Sequence, residues 1–268
     1  MKSHLRMFLF CVAIGALAGG PARAQEDAPT VLDSGRFLVL SGNQVVATEE
    51  FEYLLSPDSI TVSALMTRRA RGQSGADVEM KKRMILVVNT ADFGLRSYVS
   101  NQDFEGRQTV KGVIPGDTTM TVYAEMDGAG GADKLVQPPG KLFMMDPGLF
   151  TLFDVICHSL KGKTFTKRPV QIVALADPPA TVEATVAVAG ADTVTWGGKR
   201  TITKRLQFRD PSGDFVVWVD EQSRMLRLEH GLTGLTVMRE EPASAAPKKK
   251  PAAAPAKKPA ARKPAGTR

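Results

Sequence analysis

Asp154, Cys157 and His158 are the residues of this chain whose types come closest to a catalytic set. Asp154 and His158 stand four apart, so they are neighbours on the surface of a helix. A cysteine beside a histidine and a carboxylate has the groups of a thiol nucleophile and its base. The spacing works against that chemistry. Cys157 and His158 are adjacent in sequence, so on a helix their side chains diverge by about 100° and do not share a proton. A small buried thiol beside a boundary histidine suits this spacing better. Metal chemistry has less to work with. Past the first 24 residues the chain has only His158 and His230, with no H-x-x-x-H and no paired cysteines. The stretch DGAGGAD at residues 127–133 lacks the alternating oxygen ligands and closing Glu of a calcium loop, and reads as a flexible hairpin tip. No serine stands in a G-x-S-x-G context, and no glycine-rich phosphate loop occurs. With no acid, base and nucleophile grouped, the sequence predicts a protein that is not an enzyme and holds neither cofactor nor metal.

The elements that would position such side chains are mostly strands. Val45, Ala47, Phe51, Tyr53 and Leu55 share one face of an alternating run, and Ile60, Val62, Ala64 and Met66 share one face of the next. Ser56-Pro57-Asp58-Ser59 turns between them. Met84 to Val88 is a more buried strand, and Ile114-Pro115-Gly116-Asp117 turns into Met120, Val122 and Ala124. The second half repeats the style, with Val182, Ala184, Val186 and Val188, then Ile202, Leu206 and Phe208, then Phe215, Val217 and Val219. Trp196-Gly197-Gly198-Lys199 supplies the positive-φ residues of a tight hairpin. The fold class is therefore mainly β. We expect an antiparallel meander of about ten to twelve strands, curved into a sheet or incomplete barrel around one central α-helix.

That helix is expected at about residues 147–160, with Asp146 as N-cap and Pro147 in the first turn. Leu149, Leu152, Phe153, Ile156 and Leu160 fall at helical spacing, and Lys161-Gly162 ends the run. The apolar stripe calls for the concave face of the sheet. Leu142-Phe143-Met144-Met145 precedes it without clear alternation. Glu49 lies on the apolar phase of its strand, where a carboxylate is costly unless paired or solvated. Either the strand bends or frays there, or the face lines a cavity and Glu49 is a polar anchor.

The ends of the chain differ from its middle. Lys2 and Arg6 precede an apolar run of about 12 residues, and Ala22-Arg23-Ala24 offers small residues for cleavage before Gln25. The run is short of the roughly 20 residues that span a bilayer, so residues 1–24 read as a signal peptide and the mature protein as periplasmic or secreted. Cys157 is then the one remaining cysteine, and no internal disulfide is available. Residues 25–242 form one β-rich domain. Residues 243–268 are a Pro/Ala/Lys tail with eight basic and no acidic side chains, too poor in apolar groups to fold. The formal charge of +7 belongs to the ends, because residues 25–242 hold 24 basic against 28 acidic side chains. Nucleic acid is therefore not an expected partner. The tail suits an anionic lipid, lipopolysaccharide or cell-wall polymer, or else is a solvated extension without a partner.

Trp218-Val219-Asp220, a short polar turn and the returning Arg224-Met225-Leu226-Arg227 resemble the hairpins of exported half-barrel proteins. These include the lipoprotein carrier and receptor pair LolA and LolB and several periplasmic families of unknown function. The resemblance covers about ten residues closely and the order of signal, meander and helix loosely. It implies that an acyl chain or another hydrophobic ligand lies between sheet and helix. The basic tail departs from the carrier pattern. The expected function is a periplasmic, non-enzymatic binding or carrier protein for an apolar, lipid-like ligand. The alternative is an envelope structural or interaction protein tethered by its tail. Ligand-lining candidates are Phe143, Met144, Met145, Phe150, Phe153 and Trp218, methionine being adaptable to varied partners.

Overall fold

The computed structural model describes residues 29–211 and 213–241; the expected signal peptide, its cleavage site and the basic tail lie outside the described residues. The first half holds β1 (Thr30–Ser41), β2 (Gln44–Leu55), β3 (Ser59–Arg71), β4 (Asp77–Asn89), β5 (Leu95–Phe104), β6 (Arg107–Pro115), β7 (Thr119–Met126) and β8 (Ala129–Val136). Then follow β9 (Leu142–Met145) and the helix α1 (Thr151–Ser159). The second half holds β10 (Lys167–Ala174), β11 (Ala180–Trp196), β12 (Lys199–Asp210), β13 (Gly213–Val219), β14 (Met225–His230) and β15 (Leu235–Arg239). The fold is mainly β, a single open curved sheet of 15 strands among the described residues, with one short helix.

The strand count exceeds the expected ten to twelve in part because two-residue turns at Glu105-Gly106 and Asp127-Gly128 are too short to register as breaks. Both have positive φ at both residues, as the expected Gly197-Gly198 hairpin does, the backbone that joins antiparallel strands in two residues. Residues 127–133 are accordingly not a loose tip. Asp127-Gly128 suffices for the turn, and Ala129 onward continues as β8, paired with β7 from Met126↔Ala129 to Thr119↔Val136.

Two meanders, β1 to β8 and β10 to β15, are joined through the antiparallel pair β1–β15. β9 pairs in parallel with β10, and α1 is the crossover between them. Leu142, Phe143 and Met144 are all buried, which explains the lost alternation: a parallel strand covered on both faces has no polar phase.

The helix begins later than expected. Its first residue is Thr151, after Phe150 at the cap position, and Asp146 and Pro147 lie before it. The apolar residues anticipated for it are buried as the spacing requires, with Leu149, Leu152, Phe153, Ile156 and Leu160 all under 7% exposed. Asp154 and Cys157 are buried too, so α1 is covered on nearly all sides and not along one stripe. Phe153 packs at 4.8 Å from Phe215 and 5.7 Å from Phe208, reaching β13 and β12. Each large apolar side chain removed from water contributes about 1.5–3 kcal/mol. The curved sheet is thus held around α1 by its own inward face.

Candidate binding cleft

Three acidic groups tie the helix to the sheet. Glu49 is fully buried in unbroken register, opposite Phe37 on β1 and Met66 on β3, so the strand neither bends nor frays there. Its Oε2 accepts the Phe150 N–H at 2.7 Å and its Oε1 the Thr151 N–H at 3.1 Å. These are orphan donors at the positive end of the helix, and a carboxylate supplied by β2 satisfies them in place of a local N-cap. Burial pushes the Glu49 carboxyl up to about 7, although both N–H groups pull it down. Asp146, expected as the cap, is used elsewhere. It accepts from Lys82 Nζ at 2.5 Å, Tyr98 Oη at 2.6 Å and Ser100 Oγ at 2.8 Å.

Asp154 is the third. It accepts the Tyr53 hydroxyl at 2.9 Å and the Met225 N–H at 2.6 Å. His158 Nε2 lies 3.5 Å from Asp154 and 3.5 Å from Asp33, and Asp33 pairs with Arg239 at 2.5 Å. Burial alone would lower His158, but Asp154 and Asp33 lift it to about 9. Burial would raise Asp33, yet His158 and Arg239 bring it below its ordinary value. Asp33, Asp154 and His158 also offer three ligand atoms within 4.8 Å of one another. With the imidazole protonated, these side chains and Arg239 carry two charges of each sign, so the centre is balanced without a cation. Cys157 turns away from it and lines a cleft of about 640 Å³ with Leu160, Phe165 and Leu206. Burial pushes its thiol well up, away from the thiolate a nucleophile needs.

The open side of the sheet is different. Two clefts of about 440 and 450 Å³ share Lys82, Gln102 and Lys111 as lining residues. These come from the inward phases of β4, β5 and β6, paired as Lys82↔Gln102 and Ser100↔Lys111. The second cleft adds Arg68, with Met66, Met80, Phe150 and Leu235 as apolar wall. Lys111 Nζ donates to the Leu175 carbonyl at 3.0 Å, and Arg68 Nε to the Met80 sulfur at 3.4 Å. Burial lowers the Lys82 ammonium, Asp146 opposes this, and Lys111 and Arg68 add repulsion.

The six sequence candidates do not gather in one place. Phe150 lines the cationic cleft. Phe143, Met144 and Phe153 are packed in the core, with Met145 against it. Trp218 lies outside that core cluster, its Nε1 donating to Asp192 at 3.0 Å and Arg227 standing 5.1 Å over its ring. Asp220 of the same hairpin accepts from the Arg224 N–H and Nε at 2.8 Å, so its polar residues hold the turn. Sequence reasoning missed Arg68, Lys82 and Lys111. Each stands in the apolar phase of its strand, after Met66, before Met84 and before Val113, which is the signal that singled out Glu49.

No protein-family model matches the chain, and no curated protein matches it in sequence. In fold it is similar to a crystal structure of a β-barrel-like protein of the domain of unknown function DUF1849 from Brucella abortus. That likeness has a TM-score of 0.52 at 9% identity and covers 80% of this chain and 95% of that one. A DUF1089 family protein from Pseudomonas aeruginosa aligns with a TM-score of 0.44 at 14% identity, over 69% of this chain and 89% of that one. What the first comparison supports is a β-barrel-like fold of unknown function.

Proposed function

We propose that this chain is a non-enzymatic binding or carrier protein for an apolar, lipid-like ligand, working in the periplasm or outside the cell after cleavage before Gln25. The observation that carries the proposal is the space left inside the curve of the sheet, beside the segment from Asp146 to Phe150 that leads into the helix. Two adjoining clefts of about 440 and 450 Å³ remain on the open side, within the roughly 300–1,000 Å³ of small-molecule sites. Met66 and Met80 give one wall an apolar lining that adapts to chains of different shape. The similarity of the Trp218-to-Arg227 hairpin to the half-barrel lipoprotein carriers agrees with such a ligand, by analogy of architecture. Organic extraction or native mass spectrometry of the purified full chain should recover a co-purified lipid. Protein that is empty and takes up no neutral hydrophobic dye would remove the proposal.

A second function is favoured by the charge split. The domain is mildly acidic while residues 243–268 carry eight positive charges, which suits a tether to anionic lipid, lipopolysaccharide or cell-wall polymer. Fractionation of cells with and without those residues separates the two functions. A tethering role requires salt-sensitive release of the intact chain and loss of the envelope-bound fraction on deletion.

A further inference from the structure

We propose that the ligand is an amphiphile with one anionic head, and that Lys111, Lys82 and Arg68 hold that head in the cleft beside Phe150, which all three line. This rests on the carrier function above and adds to it the chemistry of the head and its place.

Charge is the first argument. Residues 25–242 are net acidic, yet the cleft beside Phe150 is lined by Arg68, Arg69, Lys82 and Lys111 against the single carboxylate of Asp146. Glu125 and Asp177 line the adjoining cleft and not this one. Among the described residues no ion pair within 4.0 Å is made by Arg68 or Lys111, whereas Lys82 is paired with Asp146. Three cations brought together raise one another's energy, and an anion between them relieves it.

Donor capacity is the second. An ammonium has three N–H groups and a guanidinium five. Lys111 places one on the Leu175 carbonyl, Lys82 places two on Asp146 and the Pro147 carbonyl, and Arg68 directs Nε to a thioether, a weak acceptor. Each keeps at least one N–H for a further oxygen. A carboxylate or phosphate ester is the head that accepts from several donors at once. The apolar wall of Val39, Met66, Met80 and Leu235 in the same cleft would stay wet beside a small free ion, so the anion is the head of a larger apolar molecule.

The test compares laurate with dodecanol, equal in chain length and different in head, by displacement of the neutral dye Nile red from the full chain. Laurate should bind about tenfold or more tighter than dodecanol, as charge-assisted hydrogen bonds would give. Replacing Arg68→Met and Lys111→Met together should bring laurate down to the affinity that dodecanol has for the same variant, and Lys111→Arg should keep the preference. Circular dichroism of each variant checks that the sheet is intact. Equal affinities in the wild type, or a preference that survives the double substitution, overturn the head-group assignment while the carrier function stands. Inorganic phosphate competing as strongly as laurate would overturn the amphiphile. If neither lipid nor dye binds, the carrier function falls and the head-group site falls with it.

Discussion

Two polar centres lie inside the same curved sheet, and they differ in whether their charges are answered. Where β1 meets β15, Asp33, Arg239, His158 and Asp154 form a charge-balanced set, with Tyr53 and the Met225 N–H adding donors to Asp154. Its groups come from both meanders and the helix, so it fixes α1 against the seam between them. At the open side Lys82 is answered by Asp146, while Lys111 and Arg68 have a carbonyl and a sulfur for company. Burial alone does not separate structure from function here. A buried set whose charges balance needs no counter-ion, and a cationic surplus beside empty space does.

Breaking the balanced centre should have the largest effect. Asp154→Ala leaves the Met225 N–H without its acceptor, the Tyr53 hydroxyl with only the Thr151 carbonyl at 3.5 Å, and His158 with one carboxylate fewer. Removing one partner from a buried charged set costs about 3–5 kcal/mol, so the unfolding free energy read from a urea titration should fall by that amount. A loss under about 1 kcal/mol would mean that the seam is held by its strands alone and that the comparison is mistaken.

The pH dependence sharpens the comparison, because the seam and the helix cap titrate in different windows. His158 is raised from 6.5 to about 9, so the folded protein holds its proton more tightly than the unfolded chain does. Its contribution, about 3 kcal/mol, is complete below pH 6.5 and is lost as pH rises through about 9. Glu49 is raised from 4.5 to about 7, which has the same sign. Its contribution is complete below pH 4.5 and is lost as pH rises through about 7. Unfolding free energy followed from pH 4 to pH 10 should therefore decline in two steps. His158→Gln should remove only the upper step and Glu49→Gln only the lower. A single step surviving both substitutions would place the titrating group elsewhere.

Much of the fold was legible because alternation is a local property. The strands of both halves, the Gly197-Gly198 hairpin and the buried face of the helix all follow from residues within a few positions of one another. What long-range partners decide was not legible. Asp146 looks like an N-cap from its neighbours, but Lys82, Tyr98 and Ser100 claim it and a glutamate on β2 caps the helix instead. The pairing of Asp154 with His158 was readable at i, i+4, whereas Asp33 and Arg239 come to it from opposite ends of the domain. For the cleft the sequence offered a usable hint in the in-phase charges of β3, β4 and β6. It gave no indication that those three strands bring them to one opening.

The smallest expected effect on stability is the most informative about the open side. Replacing Arg68→Met and Lys111→Met together removes two cations that repel Lys82 and breaks only one bond to a carbonyl and one to a sulfur. Stability should change by less than about 0.5 kcal/mol, or rise, in contrast to the loss at Asp154. Groups kept in place for a ligand cost the empty fold something, so removing them relieves it. The same urea titration decides the matter. A loss above about 2 kcal/mol would show that Arg68 and Lys111 hold the sheet together, and would move the cationic cleft into the same class as the seam.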